Sequence, residues 1–268
     1  MIKVAKEYRK FLAPLFEGWE ETLIWSCLQG EMGTAWSDGK NPPRAAQIII
    51  GDFCFFAGDA ASVEAEALVQ NLPVQHETRT STVLFLPQDE AWAELIVSVY
   101  GKRAQRGVRY ATKKEPDVFD REMLESFRYT LPEHYRLTHI DREIYDITKQ
   151  EDWAFDFCSQ FESFEDYQNR GAGFAVMCGD ELAAGASSYT VYHGGIEIEI
   201  DTKLSHRRKG LALACASALI LHCLDHGLYP SWDAANLASV SLAEKLGYHF
   251  SHEYPYFAIE REETVSDI

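Results

Sequence analysis

Basic charge is scarce in this chain: 25 lysine and arginine residues stand against 42 aspartates and glutamates, a formal net charge of −17. Such a surface repels nucleic-acid phosphates and the anionic faces of membranes, so neither is expected as a partner. Cationic small molecules are favoured, although acidity can serve solubility alone. Long hydrophobic runs are also missing, and no stretch approaches the roughly 18 apolar residues that span a bilayer. The first segment, MIKVAKEYRKFLAPLFEGWEE, is charged and amphipathic and lacks the basic start and apolar stretch of a secretory leader. Six cysteines (Cys27, Cys54, Cys158, Cys178, Cys215, Cys223) lie far apart with no C-x-x-C pair, which argues against a disulfide framework or a zinc knuckle. Free buried thiols in a reducing, cytoplasmic setting are expected. Repeats and low-complexity tracts are absent from the sequence.

What is present is core material. Over 268 residues, 46% apolar and 13% aromatic content is ample for two modest domains. Between residues 7 and 28 apolar positions recur at helical intervals interrupted by Pro14, which predicts two short helices. Residues 44–57, RAAQIIIGDFCFFA, form a β-type run; Gly51-Asp52 reverses the dipeptide that favours tight hairpins, so a single straight or bent strand is expected. A helix over 63–69, a buried strand over 81–86 and an amphipathic helix over 89–99 closed by Gly101 follow, the last with an acidic first turn that suits its dipole. A basic stretch, KRAQRGVRYATKKEP, holds a strand near 108–111 and precedes a helix over 119–127. Leu131-Pro132 marks the boundary. Residues 1–129 read as an N-terminal α/β domain without a nameable motif, and residues 130–268 as a second domain.

That second domain opens with an edge strand over 135–140. Residues 142–169 are helical in pattern, with Trp153, Phe157, Phe161 and Phe164 as one apolar face that belongs to a core. Strands over 174–178, 182–192 and 196–203 are joined by short turns and predict an antiparallel meander. A helix over 208–226, a strand over 230–233, a helix over 237–246 and a strand over 249–259 complete the chain. The class is α/β (α+β), with a mixed sheet flanked by helices.

Residues 196–224, IEIEIDTKLSHRRKGLALACASALILHCL, carry the most chemistry. Ile196, Ile198 and Ile200 alternate with Glu197, Glu199 and Asp201, giving a strand with an apolar and an acidic side. It runs into His206-Arg207-Arg208-Lys209, and Gly210 opens a helix that is apolar nearly all round and must be buried. Amide N–H groups at a helix start lack intrahelical partners and carry the positive end of the dipole, so a phosphate or pyrophosphate suits this turn. Gly210 and the small Ala212 permit close approach. Taken alone, the cations could equally form a solvated turn.

The segment Arg207-Arg208-Lys209-Gly210-Leu211-Ala212 resembles the [Q/R]-x-x-G-x-[G/A] pyrophosphate loop of the GNAT acyltransferases, placed between a strand and a helix as in that family. Downstream, WDAANLASVSLAEKLGYHF, residues 232–250, is similar to the family's fifth strand, fourth helix and K-L-G-[FY] turn. The likeness covers roughly 130 residues and is nearest to a subfamily that includes the zwittermicin A self-resistance acetyltransferase. It implies a C-terminal GNAT domain and acetyl-CoA as cosubstrate, with no metal. Transfer would go directly to an amine of a small, polar, cationic antibiotic or metabolite, in a monomer or homodimer. Arg207, Arg208, Lys209, Gly210, Leu211 and Ala212 would wrap the pyrophosphate, the strand edge at Ile200 and Thr202 would bind the pantetheine arm, and Asn236 would contact that arm, cap its helix, or both.

Glu197 and Glu199 are the candidate bases for removing the ammonium proton, with Asp201 behind them; equally, they could solvate a face or bind the acceptor's charge. The tyrosine that protonates the leaving thiolate in such enzymes is Ala243 here, and Tyr248, Tyr254 or Tyr256 could replace it. That departure keeps a non-catalytic acyl-CoA sensor open, as well as a protein or peptide N-acetyltransferase. Gly247 reads as a helix C-cap, Cys215 and Cys223 as core thiols, and His222 and His226 as helix-end residues rather than metal ligands. The basic stretch could reach the adenosine phosphate or a partner, or form a solvated loop. The N-terminal half would complete the acceptor pocket or be a degenerate GNAT-like unit.

Overall fold

A computed structural model describes residues 1–73 and 81–261. The chain divides into two compact units, Met1–Val108 with Pro255–Ile268, and Arg109–Tyr254. The division at Val108 precedes Leu131-Pro132, and the end of the last strand belongs to the first unit.

In chain order the first unit carries β1 (Ile2–Val4), a 3-10 helix over Lys6–Phe16, α1 (Thr22–Leu28), β2 (Thr34–Ser37), β3 (Ala45–Ile50), β4 (Phe53–Gly58), α2 (Ala65–Gln70), β5 (Thr82–Pro87) and α3 (Glu90–Tyr100). Pro14 sits inside the 3-10 helix, and the interruption falls after Phe16 instead. Residues 44–57 are a hairpin and not one strand: β3 and β4 pair antiparallel from Ala45↔Gly58 to Ile50↔Phe53. Gly51 supplies the positive φ of 55° that a two-residue turn needs, so order within the dipeptide mattered less than the glycine itself. β4 and β5 run parallel, Phe53↔Leu84 to Phe56↔Pro87. Strand β6 (Ala104–Thr112) leaves this unit and β13 (Phe250–Glu260) returns to it, pairing Phe257↔Phe85 and Ile259↔Val83 beside β5.

Its core gathers Phe56, Leu68, Val83, Phe85, Trp92, Ile96, Phe257 and Ile259. Trp92 stacks on Phe56 at 5.5 Å between ring centroids and donates its indole N–H to the Gly58 carbonyl at 2.9 Å. Full burial of such a side chain stabilises by about 2–3 kcal/mol. Helix α3 starts where Asp89 accepts from Trp92 N at 3.1 Å and stops at Gly101, as its sequence predicts.

The second unit carries α4 (Arg121–Arg128), β7 (Tyr135–His139), α5 (Arg142–Thr148), a 3-10 turn over Asp152–Phe157, α6 (Phe164–Arg170), β8 (Gly173–Cys178), β9 (Glu181–Tyr192) and β10 (Gly195–Thr202). A 3-10 turn over Leu204–His206, α7 (Leu211–Asp225), β11 (Tyr229–Ser231), β12 (Asp233–Ala234) and α8 (Leu237–Leu246) follow. The sheet order is β11-β10-β9-β8-β7, antiparallel except for β10 with β11, so β7 is the expected edge strand. Residues 142–169 are three short helical pieces. Ser163 accepts from Asp166 N at 3.1 Å and starts a new helix, which breaks the continuous apolar face drawn from the spacing. Helix α7 is buried from Ala214 through Leu221 and lies against β8, β9, β10 and β11.

Candidate functional site

Strands β10 and β11 part company. Their parallel register holds at Gly195↔Tyr229, Ile196↔Pro230 and Glu197↔Ser231 and then ends, while β10 runs on to Thr202 paired with β9 alone. From Ile198 to Thr202 the backbone on the β11 side therefore pairs with no strand among the described residues. The β9–β10 register slips between Glu197 and Ile198, leaving Tyr189 unopposed where the divergence begins. The open edge contains Ile200 and Thr202, the positions expected to hold an extended polar chain.

Below this crevice the chain turns through the 3-10 segment into the cationic loop. Arg207 donates to the Thr202 carbonyl at 3.0 Å and to Asp201 at 3.2 Å, tying the loop to the strand it has just left. Lys209 donates to the Tyr135 hydroxyl at 2.9 Å and the Ser205 carbonyl at 3.2 Å. His206, 8% exposed, fixes the base of the loop through the Tyr135 hydroxyl at 2.8 Å and Glu181 at 3.2 Å. Arg208 is exposed and sits in the left-handed region with φ 62°. For an arginine that conformation is strained, and strain of this kind collects at functional turns.

Gly210 has φ 79° and ψ 5° and caps α7 without a side chain. By contrast α3, α4, α5, α6 and α8 each begin with a side chain that accepts from the first turn. A Cβ at Gly210 would meet no atom within 4 Å, so the space above the cap is open. Leu211 is buried and Ala212 half-buried; their amides head the helix at its positive dipole end, directly after Arg207, Arg208 and Lys209 in the chain. The donor set suits a diphosphate, and the strand edge above it suits an amide-bearing arm.

The acidic positions are not equivalent. Glu197 is 4% exposed, whereas Glu199 and Asp201 are half-buried. Strict alternation predicts one acidic side; Glu197 lies where β11 still pairs with β10 and is buried, whereas Glu199 and Asp201 lie past the end of that pairing. Asn236 caps α8, accepting from Ser239 N at 3.0 Å. Ala243 is fully buried. Of the phenols near it in sequence, Tyr248 is buried, donates to the Pro230 carbonyl at 2.5 Å and has its acidity suppressed by burial. Tyr254 donates to Asp233 at 2.7 Å, and the ring of Tyr256 lies against Gly107. Gly247 ends α8 with φ 108°.

Several features escaped the sequence reading. Arg109 and Asp233 form an ion pair at 2.7 Å with side chains only 13% and 9% exposed. Lys114 donates to the buried Ser231 hydroxyl at 2.7 Å. Tyr229 is pushed up to about 12, chiefly by burial and in part by Glu197 and Glu115. Ion-pair spacing across more than 100 residues leaves no local signal. The cysteines are all free; burial pushes the Cys215 thiol up and the Cys223 thiol up to about 12, so both are inert. His222 and His226 stack at 4.1 Å. Among the described residues no group of three or more His, Cys, Asp or Glu could hold a metal, and no helix is long and apolar enough to cross a membrane.

A pair of parallel strands that part beside a cation-ringed helix start with no side-chain cap is an arrangement that can hold a phosphorylated, amide-bearing ligand. The family model for GNAT acetyltransferase matches residues 13–257, and this chain belongs to that family. A crystal structure of a GCN5-related N-acetyltransferase-like protein from Streptococcus suis 89/1591 is 38% identical, with TM-score 0.86 over 95% of this chain and 99% of that one. The uncharacterized N-acetyltransferase YdfB of Bacillus subtilis strain 168 is 23% identical over 94% of this chain and 95% of its own length. A tandem GNAT protein from the clavulanic acid biosynthesis pathway shares the fold at TM-score 0.54 and 12% identity, covering 98% of each chain. The protein is an acetyltransferase enzyme of mixed α/β fold.

Proposed function

We propose that the enzyme transfers an acetyl group from acetyl-CoA directly to an amine of a small, polar, cationic molecule. One observation carries the reading: β10 leaves β11 after Glu197 and leads to a helix start capped only by Gly210. Backbone amides from Arg208 to Ala212 would bind the pyrophosphate, with Arg207 and Lys209 adding charge and Asn236 close to the arm. The free edge of β10 at Ile200 and Thr202 would align the arm so that the acyl carbon meets the amine near Glu197 and Glu199. Either carboxylate can take the ammonium proton, directly or through a water. The chain's acidity favours a cationic acceptor.

Calorimetry with acetyl-CoA, followed by thiol release on a panel of amino-containing antibiotics, polyamines and peptides, tests the proposal. Amine-dependent thiol release should fall about 100-fold or more in Glu197→Gln or Glu199→Gln if that carboxylate is the base. Acetylation confined to peptides would move the acceptor class to polypeptides. Tight acetyl-CoA binding with no acceptor-dependent thiol would favour a sensor, a second reading supported by the buried Ala243 and by the engagement of Tyr248 and Tyr254 elsewhere.

The first unit reads as a degenerate GNAT-like half. Its succession β3, β4, α2, β5, α3 matches β9, β10, α7, β11, α8, apart from the two-residue β12 that stands between β11 and α8. Here β4 and β5 stay paired from Phe53↔Leu84 to Phe56↔Pro87, the end of β5, and Gln88 N adds a bond to the Phe56 carbonyl at 3.0 Å, so the two strands do not part as β10 and β11 do. One acetyl-CoA per chain is the expected stoichiometry.

A further inference from the structure

We propose that Tyr135 is a positioning residue of the phosphate loop, a neutral anchor that fixes the Lys209 ammonium in place without cancelling its charge. The three cations of the turn are not equally available to an anion. Arg207 lies 3.2 Å from the Asp201 carboxylate, which offsets its charge. Arg208 is exposed, and its guanidinium bonds to none of the described residues. Lys209 is exposed as well, yet it is held. Its Nζ donates to the Tyr135 hydroxyl at 2.9 Å and to the Ser205 carbonyl at 3.2 Å, and stands 5.5 Å from the centre of the Tyr135 ring. Both acceptors are uncharged, and no carboxylate among the described residues pairs with this lysine. An ammonium has three N–H donors, so one remains for a ligand.

Sheet register makes the anchor firm. Tyr135 pairs with Cys178 and Cys178 with Glu181, so β7, β8 and β9 form one rung with the tyrosine and the glutamate two strands apart. His206 bridges them. Its Nδ1 meets the Tyr135 hydroxyl at 2.8 Å, its Nε2 meets Glu181 at 3.2 Å, and the imidazole stands edge-on to the phenol ring at 5.7 Å between centroids. Lysine only donates, so the phenol oxygen accepts from Lys209 and gives its own proton to Nδ1; the imidazole proton then sits on Nε2, towards the carboxylate. Hydrogen bonds that run head to tail in this way, from Lys209 through Tyr135 and His206 to Glu181, polarise one another. Lys203 fastens Glu181 in turn at 3.1 Å. A carboxylate in place of the phenol would also grip Lys209 but would neutralise it, whereas the phenol leaves the full charge for a phosphate. Ordering the side chain before the ligand arrives removes a rotamer cost that binding would otherwise carry.

The role at a phosphate rests on the acetyltransfer reading, and the experiment tells the two apart. The full chain is titrated with CoA by calorimetry and with pantetheine, which has the same arm and no phosphate, by amide chemical shifts. Tyr135→Phe should raise the Kd for CoA about three- to tenfold, the effect of having to order one long side chain on binding, and leave the Kd for pantetheine unchanged. Added to Lys209→Met, the same substitution should weaken CoA no further, because the anchor then has nothing to hold. In the protein without ligand, carbon-13 relaxation at Lys209 Cε should report an ordered side chain in the wild type and a mobile one in Tyr135→Phe. His206→Leu, which removes the phenol's acceptor, carries the same measurements if near-ultraviolet circular dichroism shows Tyr135→Phe to be unfolded. A Kd for CoA unmoved by the substitution, a loss shared equally by pantetheine, or an equal loss in the Lys209→Met background overturns the proposal and leaves the acetyltransfer reading standing. Absence of CoA affinity in the wild type sinks that reading instead, and the phosphate role with it, while the relaxation still reports whether the lysine is anchored.

Discussion

Replacing Arg208 with glycine should separate binding from folding. Arg208 is the non-glycine residue with positive φ among the described residues, at φ 62°. A side chain held in the left-handed region costs about 1–2 kcal/mol, and glycine removes that cost. Glycine's extra freedom in the unfolded chain offsets about 0.5–1 kcal/mol of the gain. The folded state should therefore be unchanged or more stable by up to about 1.5 kcal/mol, a rise in Tm of no more than about 3–6 °C. Nothing else is lost on the folded side, because the guanidinium is exposed and hydrogen-bonds to none of the described residues. Binding should move the opposite way. A charge-assisted hydrogen bond to a diphosphate contributes about 1.5–3 kcal/mol, and the exposed setting argues for the lower end, so the Kd for acetyl-CoA should rise about tenfold. Thermal melts without ligand and calorimetry with acetyl-CoA read the two effects separately, and Arg208→Lys should keep most of the affinity. A fall in Tm of several degrees would refute the strain argument; an unchanged Kd would remove Arg208 from the phosphate site.

Arg109→Met should destabilise the protein by about 3–5 kcal/mol, since it strands the Asp233 carboxylate in a buried place; a double variant with Asp233→Leu should recover much of the loss. Urea midpoints measure both, and a single variant that unfolds with the wild type would mean the pair is solvated. The imidazole of His222 is held below its ordinary value of 6.5 by burial first and then by His226 and His139. The unfolded chain thus takes up that proton at higher pH than the folded one, so the stability contributed is complete above about pH 6.5 and is lost as pH falls toward the folded value. Melts at pH 7.5 and 5.5 should differ less in His222→Gln than in the wild type; equal differences would show that His222 contributes nothing.

The strand, cationic turn and buried helix from β10 to α7 were legible because their signals are contiguous: an alternating strand, three cations, a glycine and an apolar helix follow one another within about 30 residues, and each constrains the next. The hairpin at Gly51 and the broken helix over 142–169 were misread where one local preference, a dipeptide order or an aromatic spacing, was weighed above a turn glycine and a capping serine. Glu197 looked like Glu199 because alternation assigns a face and says nothing of what covers it. The bond between Lys114 and Ser231 left no trace in the sequence, since the two lie 117 residues apart.

Strand β13 has a consequence for biosynthesis. Its last residues, Phe257 and Ile259, fill the core of the unit that leaves the ribosome first and cover the edge of β5. A nascent chain that has emerged only as far as Tyr254 has every other strand of that sheet in hand yet exposes a bare backbone edge and an unfilled apolar socket. Exposed edges recruit other edges. Clipping just before Pro255 should therefore make the chain prone to associate through the edge of β5, although every residue of its cationic loop would still be present.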